Sequence, residues 1–319
     1  MKDKVVAVVG GAGFVGRNVV RELCKKGFRV NVGCRDTESA EFLRSMGDVG
    51  QVSLVKVNVA NYDQMASLMD GADHVVSLVG ILHERKGNTF ETVQAKGPKI
   101  IGKIAREKNV KSLVHVSAIG ANVKSKSLYA SSKGLGEAYI RGEFDKTVIL
   151  RPSIIFGPDD NFFNRFANLA ASAPFLPLIG GGTTKFQPVY VQDVASAIMV
   201  ALEDSAKVGK DYELGGPSIY SFKELLELLE KHTLRKRALV NIPFFLASLQ
   251  AKFLEVLPNP PLTRDQVELL KTDNVVSQDA LTLQDLGISP MSCEAVLPTY
   301  LDRFRPGGRY NRSSLTNSS

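Results

Sequence analysis

Cysteine and histidine are scarce in this chain of 319 residues, which contains three cysteines and four histidines. The cysteines, Cys24, Cys34 and Cys293, are odd in number and show no paired spacing. We therefore expect free thiols in a reducing compartment, and no disulfide framework. No histidine or second cysteine stands at ligand spacing from any of them, so the sequence predicts no metal site.

Long apolar runs and clustered charge are also lacking. No stretch reaches the roughly 18 apolar residues that indicate a transmembrane helix, and no signal or transit peptide is expected ahead of the first apolar run at Val5. The net charge is +7, but Lys and Arg are spread along the chain, whereas nucleic-acid binders gather them on one face. We expect a cytoplasmic protein without a nucleic-acid partner. Attraction to an acidic partner or to the cytoplasmic face of a membrane stays open.

The first half of the chain alternates short apolar runs with amphipathic stretches. The run KVVAVVG is followed by the helical pattern VGRNVVRELCKKG, and the alternation continues as far as KTVILRP. Short Val-rich runs bounded by Gly, Asp and Asn are typical of buried parallel strands. Strict alternation indicates βαβ crossovers, so the predicted fold is α/β, a Rossmann-type doubly wound parallel sheet.

This alternation loosens after Pro152, which suggests a second structural part. We assign residues 1–155 and about 184–217 to an NAD(P)-binding Rossmann domain. We assign residues from about 156 to 183 and from 218 to 304 to a smaller, mainly helical lobe that would bind a substrate or partner. The polar, glycine-containing tail at 305–319 is predicted to be disordered.

Three glycines, Gly10, Gly13 and Gly16, directly follow the first predicted strand, and Phe14 and Val15 lie among them at the helix start. Glycine permits a tight turn and lets backbone N–H groups approach a pyrophosphate, to which the helix N-terminus adds partial positive charge. A glycine triplet alone is a weak signal, but the strand-to-helix junction supports a dinucleotide site. The alternative is a tight turn without a ligand.

The end of the second predicted strand bears on the choice of dinucleotide. Binders of NAD usually carry Asp or Glu there for the ribose hydroxyls, but this chain has Cys34 followed by Arg35. An arginine can pair with the 2′-phosphate of NADPH, which we therefore favour. Asp36 is next in line and keeps NADH open. Arg35 could also be no more than a solvent-exposed charge.

The ends of the next two predicted strands supply further candidates. Asn58 and Val59 end the third strand, where a side-chain amide could bind an adenine edge. Leu78, Val79 and Gly80 end the fourth, where glycine would let a ribose come close. Each alone is more commonly a packing residue, but together they follow the rule that ligands of open α/β sheets bind at the carboxyl ends of strands.

Four motifs of the chain resemble those of the short-chain dehydrogenase/reductase superfamily. The resemblance lies in GGAGFVG after the first strand, VHVSAIGA at the fifth, YASSK, and RPSIIFG after the sixth. The stretches VSLVGIL, RPSIIFGPDDNFFNRF and FQPVYVQDVASAI are most similar to one subgroup, the dehydrogenase-like accessory subunit of respiratory complex I and its bacterial relatives. The resemblance extends from about Val5 to about Gly216 and is weaker over the helical C-terminal part.

The resemblance implies an NADP(H)-type nucleotide, with Val116, Pro152 and Ile155 among the residues that line it. It also implies complex I subunits as partners. In complex I this kind of subunit is understood as a structural or regulatory part that binds the nucleotide without established turnover.

Tyr129 and Lys133 in YASSKGLGE are one turn apart on one face of a helix predicted from Tyr129 to about Arg141. In a working reductase of the superfamily, the tyrosine exchanges a proton with the carbonyl oxygen and the lysine binds the nicotinamide ribose. A free tyrosine has a pKa of about 10, so it needs a positive neighbour at neutral pH.

A third polar residue, Ser or Thr, normally completes such a site just beyond the fifth strand. That position is approximately Ile119, which cannot donate a hydrogen bond, and Ser117 lies two residues earlier. Two interpretations follow. Tyr129, Lys133 and Ser117 could be catalytic in a soluble NADPH-dependent reductase or epimerase/dehydratase-type enzyme acting on a small carbonyl or sugar-nucleotide substrate. We favour the other, a nucleotide-holding accessory or assembly subunit of complex I.

A basic cluster precedes an apolar helical stretch in residues 234–254, LRKRALVNIPFFLASLQAKFL. Such a segment could dock on a membrane surface or a partner helix. The alternative is a helix packed on its own domain beside a solvated basic loop. If it docks on a membrane, Phe245→Glu is predicted to weaken membrane association and to leave nucleotide affinity unchanged.

Overall fold

A computed structural model describes residues 4–85, 87–257 and 260–308 of the chain. These residues form two compact units. The first holds the chain as far as Pro152, together with Val191–Leu214 and Val276–Ser289, and the second holds Ser153–Tyr190, Gly215–Val275 and the chain from Pro290 onward. Most of the tail predicted to be disordered, from residue 309, lies outside the described residues.

Strands and helices alternate along the described residues. In chain order the strands are β1 (Val5–Val9), β2 (Arg29–Cys34), β3 (Val52–Lys56), β4 (His74–Ser77), β5 (Ser112–Val116), β6 (Thr147–Pro152), β7 (Ile155–Phe156), β8 (Phe175–Ile179), β9 (Lys185–Phe186), β10 (Val189–Tyr190), β11 (Asp211–Leu214), β12 (Tyr220–Ser221) and β13 (Ala238–Ile242). The α-helices are α1 (Phe14–Lys25), α2 (Tyr62–Leu68), α3 (Gly97–Glu107), α4 (Leu128–Glu143), α5 (Phe163–Ser172), α6 (Val191–Glu203), α7 (Phe222–Thr233), α8 (Phe244–Leu254), α9 (Arg264–Leu269), α10 (Cys293–Val296) and α11 (Pro298–Leu301). A π-helical segment, Glu91–Lys96, runs directly into α3.

The first unit is built on a seven-stranded sheet in the order β11-β6-β5-β4-β1-β2-β3. Every pair of neighbouring strands is parallel. The strand order reverses between β1 and β4, and Val9 is in register with both Gly33 and Ser77 at the carboxyl ends. The predicted Rossmann-type doubly wound sheet is therefore confirmed, and its switch point lies at the end of β1.

Helices cover the sheet of the first unit, which explains its Val-rich strands. A parallel strand with both faces buried needs apolar residues at every position rather than at alternate ones. Four successive residues of β1 and all of β5 are buried. The apolar sides of α2, α3 and α4 supply one layer of the core through Met65, Leu68, Ile101, Ile104 and Ile140.

Helix α4 lies unusually close to the π-helical segment. A Cβ atom added to Gly136 would lie only 2.1 Å from the carbonyl oxygen of Gln94, so only glycine permits this approach. The close contact holds the middle of α4 against the π-helical segment. This packing positions the predicted Tyr129 and Lys133 pair.

The second unit contains three two-stranded sheets, β7 with β10, β9 with β12, and β8 with β13. Its main core gathers apolar residues of α5, α7, α10 and α11, with Phe156, Phe163 and Leu297 fully buried. Besides residues 153–155, two longer stretches fall in the other unit from the one we assigned. Residues 184–190 pair within the second unit through β9 and β10, whereas residues 276–289 join the first unit, where Leu281 bridges Tyr212.

No helix among the described residues has the length and apolar character needed to cross a membrane.

Candidate nucleotide site

The glycine turn between β1 and α1 brings backbone groups together at the switch point. Gly10 has φ +86° and donates its N–H to the carbonyl oxygen of Gly33 at 3.0 Å. Gly13 caps α1, and a Cβ atom on Gly16 would lie 2.4 Å from the carbonyl oxygen of Gly10. The first turn of α1, which includes Phe14, carries no acidic residue and no side-chain cap. These features fit a pyrophosphate at the helix N-terminus.

Val15 and Arg17 follow the glycine turn at the start of α1. Val15 is half-buried in the first turn of α1. Arg17, which sequence reasoning missed, directs its guanidinium over the ring of Phe42, 5.0 Å from the ring centroid. The available signal was its place directly after Gly16, in the turn that faces the predicted phosphate site.

Three neighbouring residues at the end of β2 have different surroundings. Cys34 is buried, and burial raises the pKa of its thiol. The Asp36 carboxylate accepts the backbone N–H groups of Glu38 at 3.1 Å and Ser39 at 3.4 Å, and these bonds lower its pKa. Arg35 is exposed and forms no hydrogen bond or ion pair with any described residue. Asp36 is thus engaged with its own loop, and Arg35 is available to a ligand.

Asn58 and Val59 follow β3 in a loop, because β3 ends at Lys56 rather than at these residues as we predicted. The backbone N–H of Asn58 donates to Oε1 of Gln64 at 2.8 Å instead of to a neighbouring strand. Its Oδ1 accepts the N–H of Ala60 at 3.0 Å, so the amide oxygen holds its own turn. Val59 is half-buried against the helical layer. An adenine contact by this loop stays a prediction.

The residues after β4 meet the side chain of Lys133. Strand β4 ends at Ser77, one residue before the predicted Leu78, although the N–H of Leu78 still donates to Val9 at 3.0 Å. Val79 is buried and Gly80 is exposed. The Lys133 ammonium donates to the carbonyl oxygens of Val79 and of Val116 at the end of β5, both at 3.1 Å. The structure therefore brings Val79, Val116 and Lys133 together.

Lys133 is a buried cation, with only 5% of its surface exposed. Burial lowers its pKa to about 8, against the opposing attraction of Glu137. Glu137 is itself bound by Arg151, whose Nε and Nη2 lie 2.9 and 2.7 Å from its two carboxylate oxygens. Arg151 also reaches Asp211 at 2.9 Å, and these contacts raise its pKa. Glu137 is thus part of a structural ion network.

Gln94 links the loop after β4 to α4, and sequence reasoning missed it. Its side chain is almost fully buried, and its Oε1 accepts the N–H of Ile81 at 2.8 Å. Its Nε2 donates to Oγ of Ser132 at 2.9 Å, and that hydroxyl donates to the carbonyl oxygen of Tyr129 at 2.8 Å. Gln94 occupies the π-helical segment, a rare geometry often found at functional sites. A polar chain thus fixes the start of α4.

The other two predicted catalytic residues, Tyr129 and Ser117, and the nearby Ile119 have different surroundings. Tyr129 is half-buried in the first turn of α4, edge-to-face with Phe90 at 6.1 Å between ring centroids. Ser117 is buried, and its Oγ has no hydrogen-bond partner within the described ranges. Ile119 is half-buried and donates its N–H to the carbonyl oxygen of Pro152 at 3.0 Å. Pro152 ends β6, whereas the predicted Ile155 belongs to β7 of the second unit.

The two histidines of the sheet are structural. His115 Nδ1 lies 3.0 Å from Oγ of Ser77 on the neighbouring strand, and burial together with the charge of Lys133 lowers its pKa well below the usual value. His74 pairs in the same way with Ser112 at 2.7 Å. Both histidines are therefore neutral cross-strand partners at neutral pH. No group of three or more His, Cys, Asp or Glu residues in the described ranges could hold a metal ion.

Comparisons with known proteins agree with this geometry. Residues 6–215 match the NAD dependent epimerase/dehydratase family. The chain is 35% identical to the NADH dehydrogenase (ubiquinone) 1 alpha subcomplex subunit 9, mitochondrial, of Arabidopsis thaliana, over 95% of this chain and 79% of that protein. It is 34% identical to the protein of the same name from Mus musculus, over 94% of this chain and 80% of that protein.

Among solved structures, the dTDP-glucose 4,6-dehydratase DesIV from Streptomyces venezuelae, with NAD and TYD bound, is similar with a TM-score of 0.73. The alignment covers 97% of this chain and 98% of that one at 20% identity, so the likeness shows the fold. The resemblance predicted from GGAGFVG, YASSK and RPSIIFG, including its complex I subgroup, is confirmed by these matches.

Proposed function

Because this chain belongs to the NAD dependent epimerase/dehydratase family, we propose that it holds a nucleotide without turnover as an accessory or assembly subunit of NADH:ubiquinone oxidoreductase, complex I. One observation carries this proposal. The 35% identity to the Arabidopsis subunit 9 extends over 95% of the chain. It therefore covers both structural units rather than the nucleotide-binding sheet alone.

The nucleotide in this proposal is NADPH rather than NADH. Arg35 is exposed and unpaired within the described residues, so it can bind a 2′-phosphate. Asp36, the acidic residue that would serve a ribose hydroxyl, already accepts two backbone N–H groups. Gly10, Gly13 and Gly16, with Phe14 and Val15 at the start of α1, would hold the pyrophosphate.

The other end of the nucleotide would lie toward α4. Lys133 would hold the nicotinamide ribose from its place beside Val79 and Val116. Leu78 and Gly80 would flank the ribose, Asn58 and Val59 the adenine, and Pro152 the nicotinamide. When bound, the nicotinamide ring supplies the capacity to give or take a hydride. In this proposal the chain uses the ligand to order its fold rather than for that chemistry.

Two side chains support binding without turnover. Ile119 offers no donor for a substrate oxygen. Ser117 has a hydroxyl, but only 4% of the residue is exposed, which limits its contact with an incoming substrate.

The test is affinity purification of the tagged full-length protein from native membranes in mild detergent. We expect complex I subunits to co-purify in fixed proportion and denaturation to release about one NADPH per chain. We also expect a peripheral location at the membrane, held there by complex I. Recovery of the protein alone in the soluble fraction would contradict the proposal.

A second candidate is a soluble NADPH-dependent reductase or epimerase/dehydratase-type enzyme on a small carbonyl or sugar-nucleotide substrate. The observation that favours it is the unpartnered Oγ of Ser117 together with an intact Tyr129 and Lys133 pair on α4. Tyr129 would give its proton to the carbonyl oxygen, Lys133 would lower the pKa of Tyr129, and Ser117 would donate a hydrogen bond to the same oxygen.

The second candidate is tested by NADPH oxidation against a panel of carbonyl compounds. A true activity should fall at least about 100-fold in Tyr129→Phe, because general acid catalysis typically contributes 10²–10⁴-fold. An activity equal in the wild type and Tyr129→Phe would be a contaminant, and this candidate would then be abandoned.

A further inference from the structure

Helix α8 carries its large apolar side chains on the outside. An ordinary surface helix turns its Leu and Phe residues toward the core and its polar residues toward water. In α8 the fully buried residues are the small Ala247 and Ala251, whereas Phe245 and Phe253 are 70% and 71% exposed. The usual arrangement is therefore inverted.

The inner side of α8 is buried by packing within its own unit. Ala247 and Ala251 pack with Ile179 and with Val267 of α9, and Phe244 lies at the edge of the same cluster. Small residues on this side allow a close approach between α8 and its neighbours. The outer side is consequently not needed to hold the helix in place.

The exposed residues form a continuous apolar surface, here called the α8 ridge. Its members occur at helical spacing along α8 and continue into the two residues that follow Glu255. They are Phe245, Leu246, Leu249, Phe253, Val256 and Leu257. Six large exposed apolar side chains within thirteen residues exceed the scattered single ones that are normal on a protein surface.

The chain segment that leads into and forms α8 carries charge of one sign. Residues 234–254 contain four cations and no acidic residue. Lys236 and Lys252 are exposed, and Glu255 is bound by Arg264, whose Nε lies 2.9 Å from its carboxylate. An apolar helix surface with an exposed lysine on the same helix matches an anionic lipid surface.

The composition of the α8 ridge distinguishes lipid from a protein partner. Protein interfaces carry about one hydrogen bond per 100–200 Å². The ridge itself offers only Phe, Leu and Val side chains, with Gln250 and Lys252 as the exposed polar residues of α8. Acyl chains require no hydrogen-bonding groups, so they suit this surface better.

We propose that the α8 ridge inserts into the boundary between headgroups and acyl chains of an anionic bilayer, with Lys252 at the headgroups. The helix would lie in the plane of the membrane as an interfacial anchor. This inference goes beyond the proposed function and does not depend on it, because the purified protein should bind lipid without complex I.

The test is co-sedimentation of the purified full-length protein with vesicles. One set is phosphatidylcholine alone, and the other contains about one third phosphatidylglycerol. The wild type should bind the anionic vesicles more tightly. The double variant Phe245→Glu/Phe253→Glu should lose at least about tenfold in partitioning, because it removes apolar contact and adds negative charge. Val49→Glu, which places the same charge at a fully exposed apolar residue of the first unit, should bind like the wild type.

A milder pair of variants tests the electrostatic part. Lys252→Glu should bind anionic vesicles severalfold more weakly than Lys124→Glu, a change at an exposed lysine in the loop before α4. Equal melting temperatures would show that these variants are folded. If Phe245→Glu/Phe253→Glu does not fold, the single variant Leu249→Ser is compared with the wild type in its place.

Four results would overturn the inference. The wild type could fail to bind either type of vesicle, or the double variant could bind as well as Val49→Glu. The wild type could also be a dimer in solution that the double variant dissolves, which would assign the α8 ridge to a second copy of the chain. Loss of complex I subunits from the double variant without vesicle binding by the wild type would assign it to a protein partner.

Discussion

The ammonium group of Lys133 on α4 donates a hydrogen bond to the carbonyl oxygen of Val79, at a distance of 3.1 Å between the two heavy atoms. The bond ties the helix that carries Tyr129 to the loop that follows β4. A cation that is 5% exposed and held by backbone carbonyls rather than by a direct carboxylate partner is costly for a fold to keep. Such a residue at the switch point of an α/β sheet is expected to serve a ligand.

Replacement of Lys133 by Met should therefore weaken nucleotide binding. We expect the dissociation constant for NADPH to rise at least about tenfold, which corresponds to the loss of one hydrogen bond to a charged group. Isothermal titration calorimetry measures the effect. Lys124→Met, which removes an exposed lysine before the same helix, should leave the affinity unchanged. Equal losses in the two variants would show that Lys133 has no direct role.

The same lysine predicts a pH dependence of stability without ligand. Burial lowers the pKa of Lys133 to about 8 from 10.5. Between these two values the folded state binds fewer protons than the unfolded state, so this residue makes the free energy of unfolding rise with pH. The destabilising contribution is fully present below pH 8 and is lost as the pH rises toward 10.5.

Urea denaturation of the wild type and Lys133→Met at pH 7 and pH 9.5 isolates this contribution. The wild type should gain about 2 kcal/mol relative to the variant over that interval. A constant difference between the two proteins would mean that Lys133 titrates normally in the folded state.

The fold was predictable because its strongest signals are local. Successive apolar residues, as in VVAVV of β1, are what a strand buried on both faces requires. The glycine turn and the spacing of Tyr129 and Lys133 depend only on a strand-to-helix junction and on one helical turn. Both features were therefore visible in the sequence.

Other features depend on contacts that no periodicity records. Strand β3 ends before Asn58, whose backbone N–H donates to the side chain of Gln64. This contact depends on the loop and not on the sequence of the strand. Gln94 can link the loop after β4 to α4 because it lies in a π-helical segment, and side-chain spacing does not predict such a segment. The orientation of α8 follows from Ala247 and Ala251 packing inward, so its composition alone left two interpretations open.

Gln94→Leu should lower both stability and nucleotide affinity. The change leaves the N–H of Ile81 without its acceptor and the hydroxyl of Ser132 without its donor. A buried group left unsatisfied costs about 1–3 kcal/mol, so we expect a loss of about 2–3 kcal/mol in the free energy of unfolding. NADPH affinity should fall severalfold, because the start of α4 is no longer fixed.

The matched control for Gln94 is Gln51→Leu. The Gln51 amide donates to the carbonyl oxygens of Cys24 and Phe28 at 2.9 Å each, on the first unit but without a contact to α4. This variant should lose similar stability and keep its nucleotide affinity. A Gln94→Leu protein that binds NADPH normally would reduce Gln94 to a structural role.

Glu137→Gln should destabilise the first unit by about 2 kcal/mol. The change breaks a bidentate ion pair with Arg151, whose side chain is 24% exposed, and removal of one partner leaves the other charge poorly compensated. Asp211 retains part of the compensation at 2.9 Å. The double variant Glu137→Gln/Arg151→Met should be less destabilised than the sum of the two single variants. Additive losses would show that the pair is not coupled.

Arg35→Ser tests which nucleotide the site selects. Arg35 is exposed at the end of β2, and Asp36 beside it is engaged with the backbone of Glu38 and Ser39. Because a charge-assisted bond to phosphate is worth about 1.5–3 kcal/mol, the preference for NADPH over NADH should fall roughly 10- to 100-fold. Titration of both nucleotides into both proteins measures this ratio.

Arg44→Ser is the matched control, because Arg44 is also exposed but is paired with Glu41 at 2.8 Å. It should keep the preference of the wild type. NADH affinity should stay unchanged in Arg35→Ser, since the lost bond involves only the 2′-phosphate. If NADH and NADPH weaken equally in Arg35→Ser, the arginine does not contact the 2′-phosphate, and Arg17, in the first turn of α1 over the ring of Phe42, becomes the next residue to replace.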